Sequence, residues 1–106
     1  MSAAAAAALE RYHPRVAANI AVKLLVNGRA FLAHAKDVSM NGLYLLAEPP
    51  ANQERFTISI PLPGDREVVT KCRVRRRHED GVGVEFEQLD WEDLFALARF
   101  LHPRLP

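Results

Sequence analysis

The stretch Asp37-Val38-Ser39-Met40-Asn41-Gly42 gathers a carboxylate, a hydroxyl, a side-chain amide and a glycine between two runs that read as β-strand. An ionised Asp accepts two N–H donors side by side, the pattern offered by the N1–H and N2–H₂ edge of a guanine, and Ser39 donates or accepts beside it. Gly42, lacking a Cβ, lets a flat group approach the backbone. The same residues also suit a plain hairpin. Asn-Gly tolerates positive φ at both positions, and Asp37 and Ser39 are able to cap local amides as an Asx-type turn. Taken alone, the stretch leaves both readings open.

A second cluster, Arg11-Tyr12-His13-Pro14-Arg15, sets two fixed cations four residues apart, and Pro14 pushes His13 out of the helical region into an extended arm. A guanidinium fork matches phosphate oxygens or a guanine O6/N7 edge in two parallel bonds. The bland alternative is a solvated basic tail. Lys71 to Arg77 carries five cations in seven residues and reads as a solvated outer strand face or a weak nucleic-acid surface. Few aromatics remain to stack bases, because Trp91, Phe95 and Phe100 belong to a helix expected to pack inward. A triad of His34, Asp37 and Ser39 is a poor fit. All three sit on one hairpin, no Gly-x-Ser-x-Gly motif accompanies them, and strand alternation sets His34 opposite Asp37 unless a bulge intervenes. No catalytic residue is assigned, and the chain is expected to be a binding module, not an enzyme. Cys72, the one cysteine, falls at an inward strand position, and no Cys/His set has metal-ligand spacing, so neither a disulfide nor a metal is expected.

The elements that must position these groups are legible in the periodicity. At 106 residues the chain suits one domain. Its formal charge of +1 means that anion affinity must come from local clusters and not from the whole molecule. Residues 1–9 form an alanine-rich tail expected to be flexible, and 10–106 the domain. The Ala3 to Ala8 run lacks a basic flank and is too short for a signal core or a membrane span, so a cytoplasmic protein without membrane association is expected.

From Asn19, Ile20, Val22, Leu24 and Val26 alternate up to an Asn27-Gly28 turn, and Arg29 to Asp37 is the hairpin partner, with Phe31, Ala33 and Ala35 on one face. Val38 breaks that parity, which predicts a bulge near Lys36 or Asp37. Further strands are predicted at Leu43–Ala47, Arg55–Ile60, Arg66–Arg77 and Val82–Glu87, with Glu48 to Asn52 ending the third and Pro61 to Asp65 a turn. Asp90 is a good N-cap for a helix whose apolar positions are Trp91, Leu94, Phe95, Ala98 and Leu101, ending at Pro103. Six short antiparallel strands predict a mainly-β protein, a small barrel with a C-terminal α-helix that plugs or flanks it.

Arg11-x-x-x-Arg15 followed by Asp37-x-Ser39-x-x-Gly42 resembles the paired signature of PilZ domains, bacterial receptors for the second messenger cyclic di-GMP. The resemblance extends from Glu10 through Gly81-Val82-Gly83-Val84-Glu85-Phe86 to the terminal helix. It implies a six-stranded barrel carrying a ligand shell of Arg11, Arg15, Asp37, Ser39 and Gly42, with Asn41, Arg73, Arg75 and Arg77 as candidate further contacts. It also implies an arm that orders on binding, an effector protein as downstream partner, no other cofactor, and a monomer or weak dimer. Asn41 stands where many relatives carry glycine. Glu10 stands where a further arginine favours a stacked ligand pair, so one ligand per chain is expected. Two alternatives are a PilZ-like adaptor with little nucleotide affinity and a small-barrel nucleic-acid binder using the Arg73 to Arg77 stripe.

Overall fold

A computed structural model describes residues 15–47 and 53–102. Six strands, β1 (Val16–Val26), β2 (Arg29–Val38), β3 (Gly42–Leu45), β4 (Arg55–Leu62), β5 (Arg66–Arg77) and β6 (Val82–Phe86), precede the helix α1 (Trp91–Leu101). The strands close into an antiparallel barrel in the order β1-β2-β3-β6-β5-β4, β1 meeting β4 through Lys23–Leu25 and Thr57–Ser59. Period-two alternation builds the core: Val22, Leu24 and Val26 from β1 meet Phe56, Ile58, Ile60, Val68, Cys72, Val82 and Val84 inside, all buried. The expected Asn27-Gly28 turn is present, with φ of 51° and 79°, both residues in the left-handed region that a two-residue hairpin demands.

Several elements depart from the sequence expectation. β1 begins at Val16, three residues early, and passes through an irregularity between Ala17 and Ile20 at which Asn19 adopts φ 54°. Its amide oxygen is hydrogen-bonded by the His34 imidazole. Pro61 and Leu62 belong to β4 and not to the turn, and β3 ends at Leu45. Phe31, on the face of β2 that also carries Ala33 and Ala35, is 45% exposed near the hairpin tip, ahead of the point at which β2 begins to pair with β3. The ladder between β2 and β3 shifts between Ala35 and Asp37, so a bulge sits where the break in parity predicted it. The segment 48–52, the alanine-rich tail 1–9, Glu10, Arg11, the Pro14 arm and Pro103 lie outside the described residues.

The helix starts as expected, Asp90 accepting from the Asp93 backbone N–H at 2.8 Å. Its inward face matches expectation in part: Leu101 is buried as expected, Leu97 and Phe100 are buried beside it, and Trp91 is 76% and Phe95 65% exposed. It flanks the barrel at β4 and β5, helped by Arg66 reaching Asp93 at 3.5 Å. Trp91 and Phe95 lie against each other on the solvent side, ring centroids 6.3 Å apart.

Cys72 occupies the core, and burial, with the Glu87 charge adding to it, pushes its thiol up to about 12 from an ordinary 9.0. Because the thiolate is the nucleophile, Cys72 is expected to stay unreactive toward a disulfide reagent at pH 8 in the native protein and to react at once in denaturant. The folded pKa is the higher one. This group therefore favours the fold fully below about pH 9, and its contribution is lost as pH rises toward 12. Fast labelling of the native protein at pH 8 would contradict the burial.

Candidate functional site

The bulge at Lys36 re-aims the end of β2. Ala35 and Val38 point into the core, and Asp37, between them, points outward and remains half-buried. Ala17 of β1 is its cross-strand partner, so Arg15, two residues earlier on the same face, comes down beside it. Arg15 Nη1 donates to Asp37 Oδ1 at 2.7 Å, with the two side chains 53% and 23% exposed. The irregularities in β1 and β2 thus bring together a guanidinium and a carboxylate that are far apart in sequence.

Ser39 is built into the turn. Its Oγ accepts from the backbone N–H groups of Asn41 at 3.1 Å and Gly42 at 3.2 Å, and donates to the Gly42 carbonyl at 3.3 Å. Its own N–H donates to the same carbonyl at 2.8 Å, and only 3% of the residue is exposed. The local capping read from the sequence is therefore made by Ser39, while Asp37 turns to Arg15. Neither Asn41 nor Gly42 uses the left-handed region, so the positive-φ argument for this pair is corrected. Gly42 is required for another reason: a Cβ there would lie 2.0 Å from the Val84 carbonyl oxygen and 3.0 Å from Glu85 Cα, so β3 is pressed against β6 at its first residue. Asn41 is exposed, and its carbonyl accepts from the Phe86 N–H at 2.8 Å, which ties the turn to β6.

The arginine stripe is engaged on the barrel exterior. Arg75 meets Glu85 at 3.5 Å, Arg73 and Arg55 share Glu87 at 3.8 and 2.8 Å, and Arg77 donates to the Gln53 carbonyl at 3.1 Å. Arg73 lies opposite Glu85, which lies opposite Gly42, so this part of the stripe is two strands from the turn; Arg77 pairs with Val82 at the other end of β6. His34, Asp37 and Ser39 engage Asn19, Arg15 and the turn backbone respectively, and form no relay among themselves.

Tyr44 was not singled out in the sequence, although alternation from Gly42 already placed it on the outer face. It is the direct cross-strand partner of Asp37, and its hydroxyl donates to Asp80 at 2.5 Å. That bond, more than partial burial, pushes the phenol up to about 12 and holds the Asp80 carboxyl below its ordinary range.

Two comparisons fit this geometry. The PilZ domain of CeSA from a cellulose-synthesizing bacterium superposes with a TM-score of 0.66 at 15% identity, over 87% of this chain and 99% of that one. The Bacillus subtilis inhibitor of motility MotI/DgrA superposes with a TM-score of 0.65 at 20% identity, over 87% of this chain and 51% of that one. At such identities the likeness is one of fold. None of the curated proteins matches the chain closely. The sequence profile described as PilZ domain matches residues 9–102, spanning the barrel, the Asp37 turn and the helix just described, and the chain therefore belongs to the PilZ domain family.

Proposed function

We propose that this chain is a receptor for cyclic di-GMP, held by Arg11 and Arg15 at its phosphates and guanine faces and by the Asp37–Gly42 turn at a guanine edge. The observation that carries the reading is the 2.7 Å juxtaposition of Arg15 and Asp37 on the outer barrel face. A forked cation and a carboxylate acceptor stand side by side where one elongated, dianionic, purine-bearing ligand is able to engage both. Ser39 and Gly42 act by shaping the turn that aims Asp37. Membership of the PilZ family supports a binding role over a catalytic one, and the single buried thiol suits a reducing cytoplasm. Among the described residues no helix is long and apolar enough to cross a membrane.

Signal passage to a partner protein belongs to the same reading. The exposed Trp91–Phe95 pair favours a second one, a protein-binding adaptor with little nucleotide affinity. Polynucleotide binding is less well supported, since Glu85 and Glu87 answer part of the arginine stripe. Titration calorimetry of the full chain at moderate salt decides among them. A receptor binds cyclic di-GMP and discriminates against GMP and cyclic di-AMP. Heat with any oligonucleotide, falling log-linearly with salt, would favour the polynucleotide reading. Silence toward all nucleotides leaves the adaptor.

A further inference from the structure

Tyr44 sits two residues after Gly42 in β3, so both face outward while Leu43 and Leu45 fill the core. Register places it between Asp37 in β2 and Gly83 in β6. On the Asp37 side stands the carboxylate of the candidate site. On the other side the ring lies along glycine backbone: a Cβ at Gly81 would stand 3.1 Å from Tyr44 Cε1, and one at Gly83, which is buried, 4.0 Å from Tyr44 Cδ2 and 3.8 Å from the Arg76 Cβ, so the absent side chains make room for one face of the phenol. The phenol is steadied by its bond to Asp80, and the His78 ring leans on it with centroids 5.8 Å apart and planes inclined by 46°. The Lys36 ammonium lies over the ring, 6.0 Å from its centre. The face turned away from that backbone is covered by a long, flexible, exposed cation, which a stronger occupant can displace.

We propose that the Tyr44 ring is a stacking platform for one base of the bound dinucleotide, whose edge then reaches Asp37 across the β2–β3 ladder. This rests on the reading of the Arg15–Asp37 face as a cyclic di-GMP site. Cross-strand partners lie about 5 Å apart at Cα, a span that one purine covers while its face is stacked and its edge is bonded. The base takes the place of the Lys36 ammonium, which is then free to turn toward the phosphates. Stacking is indifferent to base identity, since every base has a π face, whereas the carboxylate reads donors on the edge. The two residues therefore divide the work, Tyr44 supplying affinity and Asp37 selectivity.

The test separates the ring from its hydroxyl. Full-length wild type, Tyr44→Leu and Tyr44→Phe are titrated with cyclic di-GMP and cyclic di-AMP, and the guanine H8 resonance is followed by NMR, with thermal melting as a control. Tyr44→Leu is expected to bind cyclic di-GMP about ten- to hundredfold more weakly than wild type with the guanine-over-adenine preference kept. Tyr44→Phe, which loses the bond to Asp80 but keeps the face, is expected to stay close to wild type. The H8 signal should move upfield with wild type and Tyr44→Phe. Should Tyr44→Leu fail to fold, that shift with the two ring-bearing proteins still decides. Equal binding by Tyr44→Leu, an H8 signal that stays put, or a fall with Tyr44→Phe as large as with Tyr44→Leu overturns the platform; the last would make Tyr44 a tie to Asp80. A wild type without affinity for cyclic di-GMP fails the receptor reading itself and takes the platform with it.

Discussion

Gly42→Val is expected to destabilise the barrel by about 3 kcal/mol or more, and Gly42→Ala by nearly as much. Size is not what matters, because the first added carbon already lands 2.0 Å from the Val84 carbonyl oxygen. Backbone on both sides of that contact is held. Val84 and Phe86 fill the core on alternate sides of Glu85, and the Phe86 N–H is bonded to the Asn41 carbonyl. Gly42 itself is tied on both its N–H and its carbonyl to Ser39. Moving β3 off β6 would therefore open the barrel and dissolve the Ser39 turn together. For a domain of this size the loss corresponds to a fall in melting temperature of roughly 12 to 24 °C, measured without ligand. Should Gly42→Ala melt like wild type and lose only cyclic di-GMP, the glycine would be there for the ligand and not for the barrel.

The parts legible in the sequence were those in which period and chemistry agree. Arg66–Arg77 matches its predicted bounds because Val68, Thr70 and Cys72 alternate without interruption into the core. The bulge near Lys36 was legible from a single misplaced valine. What escaped was decided by tertiary contacts. Ala17, Ala18 and Asn19 carry no alternation, so the early start of β1, which delivers Arg15 to Asp37, left no trace in the pattern. Pro61 reads as a turn residue, yet it lies past the stretch of β4 that pairs with β1, where a missing N–H is tolerated. On α1 the aromatic stripe and the Leu97–Phe100–Leu101 stripe are both helical in period, and only docking on the barrel selects the second. At the site, the residue types were legible but not their division of roles: Ser39 and Gly42 build the turn, while Asp37 meets Arg15.

Arg15→Ala is expected to weaken cyclic di-GMP binding by at least about 2 kcal/mol, roughly thirtyfold, with the melting temperature nearly unchanged. The small effect on stability follows from exposure. A pair with one partner half in solvent contributes about 0–1 kcal/mol, and Arg15 is an exposed residue. The same weakness bounds a compensating gain. Without Arg15 the Asp37 carboxylate no longer has to leave an intramolecular partner when a guanine arrives, which returns at most the worth of that pair. Against it stands the loss of a charge-assisted contact to a phosphate, together with an Asp37 charge left unscreened beside the ligand dianion. The loss is the larger. Asp37→Asn keeps an oxygen that accepts one bond and releases Arg15, so its effect should be smaller than that of Asp37→Ala. In stability, Arg15→Ala combined with Asp37→Ala should lose less than the sum of the two, because the pair they break is shared. Calorimetry on the four variants, with a thermal melt of each, gives the answer. Unchanged affinity in a folded Arg15→Ala would sink the ligand-clasp role of Arg15, whereas parallel losses of affinity and melting temperature would make the ion pair a structural tie between β1 and β2.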